Sequence, residues 1–143
     1  MIDAIVGPKG TGKTAKIVDE ITKLAQAPDT NIVCIENGKR FDQHLPYTVR
    51  LIDVTEYSIQ GFNELFAFIA GMNAKDYDIS HIYIDSIHKV ARVEGNEGLA
   101  EFIKALDELA AKFKVKKVVL TISDEAEQLP KEVQEVIRVN TNE

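Results

Sequence analysis

Gly7-Pro8-Lys9-Gly10-Thr11-Gly12-Lys13-Thr14 matches Gly-x-x-x-x-Gly-Lys-[Ser/Thr] at every fixed position, and the rest of the chain is read outward from it. Gly7, Gly10 and Gly12 open backbone angles closed to other residues, so consecutive N–H groups can turn inward onto an anion. A helix beginning near Lys13 would aim the positive end of its dipole at the same point. In such a loop the lysine, Lys13, reaches the β- and γ-phosphates, which makes it a catalytic as well as a binding residue, and the Thr14 hydroxyl ligates Mg²⁺. Pro8, Lys9 and Thr11 occupy the variable positions and complete the expected nucleotide-binding set. A chance match in a chain of this length has a probability on the order of half a percent. The apolar run Ile2–Val6 before the loop and the helical pattern after it supply the expected strand–loop–helix context.

Downstream, apolar runs alternate with helical spacing, the signature of an α/β fold with a mainly parallel sheet between helical layers. Lys13–Gln26 predicts a helix, Asn31–Glu36 a buried strand, 38–47 a polar loop and Val49–Val54 a strand. A helix over 61–73, a strand Ser80–Asp85, an amphipathic helix over 97–113 and a strand Lys117–Ile122 follow. Pro130 is placed to open a short helix, and Val136–Val139 to form a last edge strand.

The chain has 143 residues, which suits one domain spanning 1–143; 45% of them are hydrophobic and 28% charged. A single cysteine, Cys34, excludes an intrachain disulfide and reads as a small core residue. His44, His81 and His88 show no close pairing that would suggest a metal cluster. No run approaches the length of a membrane span and no signal peptide precedes Ile2, so a cytoplasmic location without membrane attachment is expected. A formal net charge of −6 disfavours nucleic acid as a partner.

Asp85 ends the strand Ser80–Asp85 at the ligand-binding edge expected of a parallel sheet, where its carboxylate would join Thr14 in holding Mg²⁺. Ser86, not an acid, follows it. Glu36 closes the strand after the first helix and is the candidate that polarises an attacking water. Thr121 and Ser123 end a later strand on one side of it, and one of their hydroxyls is expected to sense the γ-phosphate.

With these pieces placed, the chain resembles the RecA-like group of P-loop ATPases, including RecA, KaiC-type and DnaB-type domains. Gly7–Thr14 resembles the Walker A loop, Ile32–Glu36 the strand whose terminal Glu is the base in RecA, and Ile82–Ile87 the Walker B segment, where Asp-Ser is usual. Glu94-Gly95-Asn96-Glu97-Gly98 is similar to the loop that follows Walker B. The resemblance implies a three-layer α-β-α core in which the Walker A strand (Ile2–Val6) and Walker B strand (Ile79–Asp85) are separated by Lys117–Ile122. It also implies ATP with Mg²⁺ as ligand, Ser123 in the place of a γ-phosphate-reading Gln, and a minimal core without recombinase DNA loops. Such domains often complete their site with a cation from a neighbour, so a protein partner or a homo-oligomer is expected, with Arg40 and Arg92 as candidate fingers.

AAA+ and thymidine-kinase-like patterns need Asp-Glu where Asp85-Ser86 stands, and the GTPase base reader [Asn/Thr]-Lys-x-Asp is missing, so adenine is favoured. Three functions remain open at this point: an ATPase that turns over slowly in isolation, a nucleotide-controlled regulatory module, and a small-molecule or nucleoside kinase.

Overall fold

The side chains of each central strand sort by alternate residue onto two faces, and that sorting builds the molecule. Along β1 (Ile2–Gly7), Ile2, Ala4 and Val6 enter one apolar cluster while Ile5 enters another. In β2 (Ile32–Glu36), Val33 and Ile35 face the first cluster and Ile32 and Cys34 the second. β4 (His81–Ile84) divides Ile82 and Ile84 from Tyr83, and β5 (Lys117–Ser123) divides Val118, Leu120 and Ile122 from Val119. Strands buried on both faces need helices on both, and they have them. α1 (Lys13–Leu24) covers the second face through Ile17 and Ile21. α2 (Phe62–Lys75), α3 (Ile87–Ala91) and α4 (Leu99–Phe113) cover the first.

The computed structural model describes residues 2–141. Its sheet has six strands, all parallel, in the order β3-β2-β4-β5-β1-β6, with β3 at Arg50–Asp53 and β6 at Ile137–Thr141. β5 lies between β1 and β4, as the sequence reading expected, and β6 is the edge strand beside β1. A short α5 (Lys131–Gln134) starts after Pro130, which sits at its N-cap.

The expected boundaries shift by a few residues. α1 stops at Leu24 rather than Gln26, and α4 starts at Leu99 rather than residue 97 because Gly98 turns the chain through φ +84°. Val54 leaves the β3 ladder for a 3₁₀ turn. α3 was not foreseen, since five residues carry too little periodicity to register.

α1 is tied to the sheet below it. The Tyr83 hydroxyl donates to Glu20 Oε1 at 3.1 Å, and Lys117 Nζ reaches the same oxygen at 2.6 Å. These bonds orient the helix whose N-terminus forms the site. Cys34 is fully buried and burial pushes its thiol pKa up, which leaves it a core residue. Among the described residues no helix is long and apolar enough to cross a membrane.

Candidate functional site

Two of the three loop glycines take the backbone angles expected of them. Gly10 and Gly12 both take φ of +86°, and a Cβ at Gly10 would meet nothing within 4 Å, so backbone conformation alone calls for glycine there; Gly7 instead ends β1 without a positive φ, because it continues the strand. Lys13 Nζ donates to the carbonyls of Gly7 at 2.8 Å and Pro8 at 2.9 Å, and the Thr11 hydroxyl donates to Pro8 O at 2.8 Å. α1 opens at Lys13 with no side-chain cap and no acid in its first turn, which leaves its leading N–H groups to an anion. Lys13 is buried; burial lowers the pKa of its amine, against the opposing charge of Asp85.

The period of two along the strands gathers the other groups. Glu36 continues the side of Ile32 and Cys34, Asp85 that of Tyr83, and Thr121 and Ser123 that of Val119; this is the α1 side of the sheet. Asp85, 1% exposed, is held from three directions. Its Oδ1 accepts from the Thr121 hydroxyl at 2.7 Å; its Oδ2 accepts from the Thr14 hydroxyl at 3.2 Å and from Arg40 Nη2 at 2.8 Å. Thr121 Oγ1 in turn accepts the Ser86 N–H at 2.6 Å. Ser86 adopts φ 63°, a left-handed conformation costing a non-glycine residue roughly 1 kcal/mol, at the point where the chain leaves Asp85 for α3.

A cavity of about 570 Å³ opens over the loop. Lys9, Gly10, Gly12, Lys13 and Thr14 from the loop line it, together with Arg40, Asp85, Ser123 and Asp124. Gly7, Pro8 and Thr11 are not among the lining residues; they enter the loop's internal bonds, Gly7 and Pro8 as acceptors for Lys13 and Thr11 as a donor to Pro8. Register places Ser123 directly opposite Gly7, while Thr121 is buried against Asp85. Of the two hydroxyls expected near a γ-phosphate, Ser123 is therefore the one on the cavity wall.

Glu36 is placed differently from its expectation. It is 1% exposed and does not line the cavity. Its Oε1 accepts the Arg40 N–H at 3.1 Å and its Oε2 the Phe41 N–H at 3.3 Å, so both oxygens brace the loop carrying Arg40. Burial raises its pKa, against the two N–H groups and the Arg40 charge. Arg40 Nε lies 3.9 Å from Glu36, so this arginine bridges the two acids. Arg92, the other candidate finger, donates to the Val54 carbonyl at 3.0 Å and the Ile59 carbonyl at 3.4 Å.

His88, Lys89, Glu94, Asn96 and Asp124 also line the cavity, and sequence reading gave none of them a site role. For Glu94 and Asn96 the signal was the likeness of segment 94–98 to the loop that follows Walker B.

Asp53 anchors the same loop from β3. Its Oδ1 accepts from the Gly38 N–H at 2.8 Å, the Thr55 N–H at 2.9 Å and the Thr55 hydroxyl at 2.7 Å. Burial alone would raise its pKa, but those bonds and the Lys39 charge outweigh it and hold the carboxyl below its ordinary value. A depressed pKa stabilises the fold above the unfolded-state value and stops doing so as pH falls through the folded-state value. Asp53→Asn is expected to cost about 1.5 kcal/mol at pH 7, with the gap to wild type closing as pH falls below the ordinary aspartate range, as read from urea unfolding across that range.

Comparison with protein-family models finds no match, and comparison with curated proteins finds none. Among solved structures, the chain is similar to the flagellar accessory protein FlaH from Methanocaldococcus jannaschii, with a TM-score of 0.63 and 16% identity over 94% of this chain. The fold is RecA-like. The sheet order with β5 between β1 and β4, helices on both faces and the superposition on FlaH agree on it. The chain spans 65% of the length of FlaH.

Proposed function

We propose that this RecA-like chain is a P-loop protein that binds ATP with Mg²⁺ and hydrolyses the γ-phosphate in step with a protein partner or its own assembly. The observation that carries the reading is the meeting of the uncapped α1 N-terminus with an acid from β4. Lys13 and Thr14 open the helix, and Asp85 comes within 3.2 Å of the Thr14 hydroxyl in the lining of a cavity of about 570 Å³.

A hydroxyl and a carboxylate are hard oxygen donors, and among the described residues no group of three or more His, Cys, Asp or Glu could hold a metal unaided. That donor set suits Mg²⁺, which keeps several waters and takes its remaining ligands from phosphates. Held by Thr14 and Asp85, the ion would neutralise charge on the β- and γ-oxygens. Lys13 exchanges the carbonyls of Gly7 and Pro8 for phosphate oxygens. Arg40 contacts the Asp85 oxygen nearest Thr14, so a cation there competes with it. Its side chain is 45% exposed, so once displaced from Asp85 it would turn toward the phosphate, a cis counterpart of a finger. Ser123, across from Gly7, would contact the terminal phosphate.

A second cavity, about 550 Å³, lies between α1 and the 40–44 loop and shares Thr14 and Arg40 with the first. It supports a second reading, phosphoryl transfer to a small acceptor bound there. Product analysis separates the two: inorganic phosphate for hydrolysis, a phosphorylated acceptor for transfer.

Titration calorimetry with ATP and GTP, each with and without Mg²⁺, tests the proposal. Micromolar binding of ATP that Mg²⁺ strengthens, with GTP weaker, is the expected result. No heat of binding from either triphosphate would remove it.

A further inference from the structure

Hydrolysis needs a carboxylate, or another base, that can reach water beyond the γ-phosphate. Glu36 is sealed from the cavity by its two backbone bonds and by Arg40. Three acids do line the cavity: Asp85, Glu94 and Asp124. Both oxygens of Asp85 are engaged, and Asp124 Oδ1 accepts the Glu125 N–H at 2.8 Å. Glu94 is exposed, and among the described residues it makes no hydrogen bond or ion pair.

The loop that carries Glu94 is nonetheless held on both sides. Arg92, in a left-handed conformation at the end of α3, is fastened to the carbonyls of Val54 and Ile59. The Val93 N–H donates to His88 O at 3.0 Å. Two residues beyond Glu94, the Asn96 amide oxygen meets His88 Nε2 at 2.7 Å, and Asn96 O accepts the Leu99 N–H at 3.1 Å. A free carboxylate on a loop fixed at both shoulders, lining the cavity that the glycine-rich loop also lines, is a preorganised acid–base group.

We infer that Glu94, not Glu36, is the catalytic carboxylate, and that Glu36 is a positioning residue that sets the Arg40 loop. The inference rests on the ATP-hydrolysing reading above. The water oxygen forms a bond to the γ-phosphorus, and the bond from that phosphorus to the β,γ-bridging oxygen breaks. ADP leaves with the electron pair. The proton lost by water passes to the Glu94 carboxylate and then to the released phosphate.

The test measures phosphate release and ATP·Mg²⁺ affinity for the full chain, Glu94→Gln and Glu36→Gln. Glu94→Gln is expected to keep its affinity within about 3-fold and lose about 100-fold or more in turnover. Because Glu94 is exposed, this variant should melt with wild type. Glu36→Gln places an amide NH₂ against a backbone N–H, so it should melt lower, yet keep turnover within about 10-fold where folded. Wild-type turnover in Glu94→Gln would overturn the inference. So would an affinity loss equal to the turnover loss, which would make Glu94 a nucleotide contact. Wild-type chain that binds ATP without turnover would also overturn it while leaving the nucleotide site standing; absence of binding would instead sink the proposed function.

Discussion

Replacing Lys13 with alanine is expected to weaken ATP binding by about 100-fold or more, equivalent to about 2.7 kcal/mol, while the chain stays folded. The amine is the one cation at the junction of the loop and α1, buried to 7% exposure and already pointed at the loop carbonyls. A buried ammonium facing phosphates works in a low effective dielectric, where its charge counts for more than a surface lysine's. The fold should notice much less. The substitution removes two hydrogen bonds to carbonyls but also relieves a desolvated charge, the burial that lowers the pKa of this amine. A stability change within about 1 kcal/mol is therefore expected, read from urea unfolding beside calorimetry of the same protein. Retention of wild-type ATP affinity by the alanine variant would show that the loop is not a phosphate site.

The second large effect falls on Asp85. Asp85→Asn is expected to abolish the Mg²⁺-dependent gain in ATP affinity, at least about 10-fold, and to leave metal-free binding near wild type. The reason is local. The carboxylate accepts the Thr14 hydroxyl, and an amide oxygen is a poorer ligand for a hard divalent ion. Arg40 gives the variant a second signature. With the charge removed, its ion pair with Asp85 is lost, but the half-exposed guanidinium returns to water, so the structural cost stays near 1 kcal/mol. Calorimetry with and without Mg²⁺, paired with thermal melts, separates the two effects. An asparagine variant whose affinity still rises with Mg²⁺ as in wild type would move the metal away from Asp85.

Much of the architecture was legible because it is written in short-range chemistry. The Gly7–Thr14 spacing specifies left-handed turns at Gly10 and Gly12, followed by a helix. Continuous apolar runs read as doubly buried strands, and the 3.6-residue period marks α1, α2 and α4. Strand alternation even placed Thr121 and Ser123 on a common side. The loops were harder to read. α3 is shorter than the pattern that would reveal it. The 94–98 segment stood out as polar and glycine-flanked, but nothing in its composition says which cavity it faces.

Glu36 shows where local reading stops. As the last residue of a buried strand it was bound to project from the carboxyl edge, and it does. Whether its oxygens meet water or backbone depends on how residues 37–41 fold over it, and that loop is pinned by Asp53 from a different strand. Likewise, Asp85 meets Thr14 and Arg40 across 71 and 45 residues of chain. The sequence alone determined the phosphate loop, the strand and helix periods and the RecA-like resemblance, because each depends on neighbours within a few residues. Only the tertiary structure decided which acid faces the cavity, which is sealed and what Arg40 touches, because those outcomes depend on strand register and on loops packed from distant parts of the chain.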